Sequence, residues 1–264
     1  MTSSGLEHQE QGSQRSIGVY VYGIVPADVQ VEEHARGVGD PPTKVDVVRE
    51  GDIAALVSEV PTDHPLGTPE DLQTHAQLLD GTASVAPVLP LRFGAVMADA
   101  EAVAVELLRE HHDEFAQALD ALEGHAQYIV RGRYSEDAII AEVISDNDQA
   151  RALLEDIRSK PDEASRNSQM ALGEFIANAI EYKRQVDTKM VIDLLRELAT
   201  DVNVRPPTHE YDAVHVALLA ELEREPDLEA VMNRLAEHWG ERVGLRLLGP
   251  LAPYDFVVTS KLGA

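Results

Sequence analysis

The chain has 264 residues, 47 Asp and Glu against 22 Lys and Arg, a formal net charge of −25, 44% hydrophobic residues and no cysteine. The missing thiols exclude disulfides, thiolate metal sites, cysteine-ligated iron–sulfur clusters and cysteine nucleophiles, and the negative charge repels nucleic-acid backbones and anionic lipid surfaces. The length suits two domains, each able to bury a core, and no apolar run approaches the roughly 20 residues of a membrane span.

Residues 1–16, MTSSGLEHQEQGSQRS, are polar and lack the basic-then-apolar order of a secretion signal, so they read as a disordered tail on a cytoplasmic protein. IGVYVYGIV, from Ile17 to Val25, is β-branched and aromatic and ends at Pro26, which predicts a strand. VDVVREGDIAALVSEV, 45 to 60, splits at Glu50-Gly51-Asp52 into two β-prone runs, a hairpin pattern. Thr68 supplies an N-cap, Pro69 a first helical residue, and Glu70 and Asp71 acids in the first turn; Leu72, Ala76 and Leu79 continue at helical spacing. A strand is predicted from Val85 to Phe93, then a single helix from Asp99 to Leu122 with an apolar stripe of Val103, Leu107, Leu108, Phe115, Leu119 and Leu122, ended by Gly124. These elements make a first α+β domain over 17–123.

HAQYIVRGRY, 125 to 134, reads as a strand with Tyr128 and Val130 on one side and Gln127, Ile129 and Arg131 on the other. Two helical pieces over 136–159 precede one long helix, Ser165 to Asp201, whose Phe175, Ile176, Ala179, Val186, Met190, Leu194 and Leu198 fall near one face. At about 50 Å it outruns a small sheet, so part of that face needs a further partner. A strand over Asp212–Leu222, a helix over Asp227–Trp239 and a strand over Arg242–Leu248 complete a second α+β domain, 124–248, ferredoxin-like in plan. Residues 249–264 form a Pro/aromatic tail.

The common phosphate-cradle, serine-hydrolase and zinc-protease patterns are absent. In the Glu110–Glu114 cluster only Glu114 is spaced to share a metal with His111, and two ligands do not close a site; no metal or cofactor is expected. His75, mid-helix, reads as a hydrogen-bonded interhelical histidine, with a general base as the alternative. The stretch LPLRFGAVM, 89 to 97, carries Pro90, Arg92 and Gly94 where strand interiors avoid Pro and Gly. Arg92 must find a carboxylate or carbonyls if its head is buried; a structural salt bridge competes with a partner-binding anchor. Gly94 permits a tight exit from the strand. In GPLAPYDF, 249 to 256, prolines stiffen the chain and Tyr254 and Phe256 offer contact area, which suits docking as well as packing back on the core.

Taken together these segments resemble the gas vesicle protein L/F family. The likeness runs from Val19–Val25 through the His75 helix and Val88–Val96, similar to the family's apolar-Pro-apolar-Arg-Phe-Gly signature, to Gly249–Val257, similar to its Gly-Pro-Trp-Pro-Pro-Tyr-Ser-Phe; Gly173 and Ile176 also fit. Leu251 and Ala252 stand where the family tends to have Trp-Pro, and Gln127 where it usually has Glu. The resemblance implies two α+β domains and a non-enzymatic role in gas vesicle assembly: binding the small hydrophobic shell protein, alongside other accessory proteins, in the cytoplasm and at the vesicle. The candidate partner-binding residues are Arg92, Phe93, Pro250, Pro253, Tyr254 and Phe256; the candidate structural residues are His75, Pro90, Gly94 and Gly249. The competing reading is a small-molecule-binding or catalytic α+β protein with Arg92 as anion anchor and His75 as acid or base.

Overall fold

A computed structural model of the chain describes residues 17–63 and 65–257, so the expected N-terminal tail, 1–16, and the end of the C-terminal tail, 258–264, lie outside the described residues. The described chain divides into two compact units: residues within 17–78 and 91–116 form the first, and 79–90 with 117–257 the second.

In the first unit β1 (Ile17–Pro26), β2 (Val45–Glu50) and β3 (Ile53–Pro61) form an antiparallel array in the order β2-β3-β1. The hairpin turn sits at Gly51, whose φ of +61° is the left-handed conformation that favours glycine. Helix α1 (Pro69–Ala83) begins as its sequence predicts. Thr68 and Asp71 make a reciprocal capping box, with Asp71 N donating to Thr68 Oγ1 (3.1 Å) and Thr68 N to Asp71 Oδ2 (3.0 Å).

The predicted strand over 85–93 shrinks to β4 (Leu89–Pro90), and the chain returns to β1 through β5 (Val96–Met97). Pro90, which lacks an N–H, and the turn at Phe93-Gly94 interrupt what apolar composition suggested was continuous. The predicted helix over 99–122 is also broken. Asp99 caps α2 (Ala100–Ala102), a π-helix follows over Val103–Arg109, and α3 spans His112–Leu122. Every member of the predicted stripe is nevertheless buried. At 100° per residue, Val103 and Leu107 lie about 100° out of phase with Leu108, Phe115, Leu119 and Leu122. The wide π turns absorb that offset. Arg109 ties the π-helix to the hairpin through a bidentate pair with Glu50 (2.8 and 3.0 Å).

The second unit runs β6 (His125–Tyr134), α4 (Glu136–Asp146), α5 (Asp148–Ser159), α6 (Asp162–Leu195), β7 (Asp201–Val204), β8 (Asp212–Glu221), α7 (Glu225–Trp239) and β9 (Val243–Leu251). Its strands are antiparallel in the order β7-β8-β6-β9. With β6 counted as first, this is the β-α-β-β-α-β ferredoxin-like plan, which required β7, a strand the sequence reading missed. Tyr128, Val130 and Tyr134 of β6 pack with Val214, Val216 and Leu218 of β8 under α6 and α7.

The long helix starts three residues earlier and ends six earlier than predicted, and its buried face is different: Leu172, Ile180, Asp187, Val191 and Leu195 point inward. Val186 and Leu194, which the spacing puts on the apolar face, are 45% and 49% exposed, while Ile176, Met190 and Leu198 of that face pack partly buried against the core. The misassignment has a physical cause, because the true inner stripe contains an aspartate. Asp187 is acceptable there because Tyr134 Oη donates to it at 2.6 Å and Arg242 pairs with it at 2.9 Å.

Candidate functional site

Arg92, Phe93 and Gly94 lie on a turn fixed from beneath by two aromatic residues of β1. Tyr20 is fully buried, and its hydroxyl accepts from Gly94 N (3.1 Å) while lying 2.9 Å from His75 Nδ1. The His75 ring also donates to the Leu91 carbonyl. With the ring N–H committed to Leu91, Nδ1 is the acceptor of the Tyr20 proton. Leu91 N in turn donates to Tyr22 O at 2.9 Å. The Phe93 ring closes the cluster, 5.8 Å from Tyr20 and 5.5 Å from His75 in edge-on geometries. Gly94 has a φ of +95°, so the turn demands glycine for its backbone. His75, at 4% exposure, is pushed down to about 4 chiefly by burial, which disfavours the imidazolium. Burial likewise raises the Tyr20 hydroxyl.

This arrangement places the candidate residues in distinct roles. His75 and Gly94 hold the turn, and Pro90 is buried. Phe93 is half-buried and Arg92 exposed. The expected salt bridge of Arg92 is not formed: among the described residues Arg92 makes no ion pair, because its guanidinium stays in water and needs no neutralising carboxylate. An acid–base role for His75 beside Arg92 finds no geometric support, since the imidazole is enclosed with both nitrogens committed. A cleft of about 880 Å³ in the same unit, lined by Arg36, Asp40, Leu66, Asp71 and Thr74 among others, contains neither residue. At its edge Asp71 accepts from Gly39 N, Gly67 N, Thr68 N and Thr68 Oγ1, which holds its carboxyl below the usual range against the opposing effect of burial. Its lone pairs are used, so it serves structure. Tyr20 was not singled out in the sequence; the Tyr-x-Tyr alternation of β1 was the available signal.

The C-terminal segment belongs to the second unit and is anchored at four places. Gly249 adopts φ +152°, and a Cβ there would overlap the Tyr128 ring. Ala252 N donates to Asp80 Oδ1 (2.9 Å) and Asp255 N to Gln127 Oε1 (3.0 Å). The Asp255 carboxylate takes both arms of Arg205 and the amide of Asn203. Pro250 and Phe256 are half-buried and Pro253 buried, while Tyr254 is 41% exposed. Packing on the core therefore accounts for Gly249 and Pro253, and Tyr254 is left facing outward. Gln127, 1% exposed, supplies a neutral acceptor beside Asp255.

Two α+β units, the second ferredoxin-like, with an Arg-Phe-Gly turn clamped by a buried Tyr–His pair and an anchored Pro-Tyr-x-Phe segment, define the class of two-unit α+β protein to which the chain belongs. The family model for gas vesicle synthesis protein GvpL/GvpF matches residues 18–258, and the chain belongs to that family. It is 32% identical to gas vesicle protein F of Streptomyces sp. (strain CB03234) over 243 residues, covering 91% of this chain and all of that one. Identity to gas vesicle protein F of Dolichospermum flosaquae is 24%, covering 91% and 98% of the two chains. The fold is that of the crystal structures of GvpF from Anabaena sp. PCC7120 (TM-score 0.75, 23% identity, 91% and 98% of the chains) and from Microcystis aeruginosa (TM-score 0.70, 20% identity, 90% and 98%). A gas vesicle-related role follows from family membership. No helix among the described residues is long and apolar enough to cross a membrane.

Proposed function

We propose that this protein is a non-enzymatic assembly factor of gas vesicles that binds the small hydrophobic shell protein and keeps it dispersed before or as it joins the vesicle wall. A subunit that builds a wall with a water-excluding face aggregates when free, and a soluble partner has to cover apolar area or sheet edges. The observation that carries this reading is the clamped Arg-Phe-Gly turn: the buried side chains of Tyr20 and His75 and the Tyr22 carbonyl fix a turn whose Arg92 faces water, and Val96 of the following β5 is 42% exposed. Such rigidity lowers the entropic cost of docking. The net charge of −25 keeps a complex with an apolar client in solution. Tyr254 and Phe256 offer a second contact, and other accessory proteins of the vesicle are further candidates for it.

The test is co-expression with the shell protein followed by pull-down at low salt. Retention of shell protein is expected, and absence of retention overturns the reading. Tyr254→Ala combined with Phe256→Ala is expected to weaken retention more than it lowers the melting temperature; a loss confined to thermal stability would return both residues to the core.

A further inference from the structure

The face of the second sheet that bears Gln127 and Ile129 carries a line of basic side chains at its other end. Strand register puts His215 of β8 opposite Arg131 of β6, and Arg131 opposite Arg246 of β9. Arg205 continues the line beyond β7, its N–H bonded to His215 O at 2.9 Å. Arg133 stands two residues along β6 on the same face. Directly opposed side chains in an antiparallel pair lie about 5 Å apart at Cβ, so like charges there are unfavourable. The chain nevertheless groups them although it has 22 Lys and Arg for 47 acids. Neighbouring carboxylates answer the grouping only in part. Asp255 pairs with Arg205, and Asp212, opposite Arg133 in the register and within the field of the Arg131 guanidinium, has its hydrogen bonds taken by Thr208 N, Thr208 Oγ1 and His209 N. Arg131 Nη2 donates to the Thr208 hydroxyl at 2.7 Å. Among the described residues Arg131, Arg133 and Arg246 make no ion pair, and all three are exposed.

A second feature adjoins the row. β9 is a terminal strand of its sheet, nine residues long, so that among the described residues its outer edge is unpaired. Edges of this length are ordinarily blunted by charge or covered. Here the sequence is VGLRLLGPL, with Arg246 its single charge and Leu248 43% exposed. A strand laid along β9 would place its side chains directly beside Arg246 and thereby extend the cross-strand row by one position.

We propose that the outer edge of β9 together with Arg131, Arg133 and Arg246 is a docking site for an extended acidic segment of a partner polypeptide, which adds as a fifth strand with alternate carboxylates on the arginine face. Main-chain bonds to β9 supply affinity and the arginines select acidic side chains. The geometry favours a polypeptide over a nucleic acid, since two carboxylates two residues apart on an added strand fall one beside Arg246, in the row of Arg131, and one beside Gly244, in the row of Arg133, whereas a long polyanion meets the field of a chain with charge −25.

The probe is a fluorescein-labelled (Glu-Thr)5 peptide, followed by anisotropy in low-salt buffer, with a proline-interrupted version and a (dT)20 oligonucleotide as comparisons. Saturable binding is expected to weaken about tenfold or more in Arg131→Ser plus Arg246→Ser, as the loss of charge-assisted hydrogen bonds requires, and about fivefold with the interrupted peptide, which cannot pair continuously. Hydrogen exchange on the unmodified protein supplies a readout free of folding artefacts: the β9 amides should gain protection when peptide is added. Equal affinity in the Ser variant, equal affinity for the interrupted peptide, unchanged β9 exchange, or tighter binding of (dT)20 would each overturn the proposal.

Discussion

Burial keeps His75 neutral at physiological pH, and the sign of the consequence follows from its depressed value. An unfolded histidine takes up a proton near 6.5, the folded one at about 4. The unfolded state therefore binds more protons between those values, so stability is full above about pH 6.5 and falls as the pH drops toward 4, by up to about 3 kcal/mol. Denaturant melts from pH 7 to 4.5 should show this slope, and His75→Gln, whose amide can still accept from Tyr20 and donate to Leu91, should flatten it. A slope unchanged in the variant would place the acid sensitivity elsewhere. Tyr20→Phe removes the hydroxyl shared by Gly94 N and His75 Nδ1. It leaves the buried His75 Nδ1 and the part-buried Gly94 N–H without their partner, an expected loss of about 1–3 kcal/mol by urea midpoint.

At the level of elements, Gly249→Ala is expected to cost about 2–4 kcal/mol, because the methyl group meets the Tyr128 ring and the backbone sits at φ +152°. A thermal melt of the purified variant checks it, and a change within about 0.5 kcal/mol would mean the segment repacks freely. Much of this architecture was legible. The hairpin turn at Gly51, the Thr68–Asp71 cap and the opposite faces of β6 follow from turn chemistry, capping and alternation, which act over a few residues. Failures occurred where distant contacts decide. The inner stripe of α6 includes Asp187, which only the remote Tyr134 and Arg242 make tolerable. Four-residue β7 carries too little pattern to stand out before β8 pairs with it. At the candidate site the Arg-Phe-Gly turn was identifiable from its odd composition. The solvent exposure of Arg92 was not, because burial is a property of the packed sheet and not of the local sequence.

Across the whole molecule, charge and fold stability respond to acid together. The sequence pI is about 4.6, so the net charge of −25 that separates molecules at neutral pH vanishes near the pH where His75 has lost most of its contribution. Light scattering across a pH series should therefore rise sharply around pH 4.5–5, accompanied by loss of near-ultraviolet circular dichroism. In His75→Gln the scattering should remain while the dichroism loss moves to lower pH. Simultaneous shifts of both in that variant would mean that aggregation is driven by unfolding and not by neutralisation.

The π-helix at Val103–Arg109 sets a constraint on how this chain can change length. Each π turn holds roughly one residue more than an α turn, so removing one residue there would restore an ordinary helix at little local cost. Phe115, Leu119 and Leu122 would keep the buried positions they occupy, because the phase lost with that residue is the phase the π turns absorb. A one-residue deletion is thus accommodated within 103–109, whereas the same deletion inside α3, between His112 and Phe115, would turn Phe115, Leu119 and Leu122 by about 100° around the axis and would require a rewritten apolar stripe.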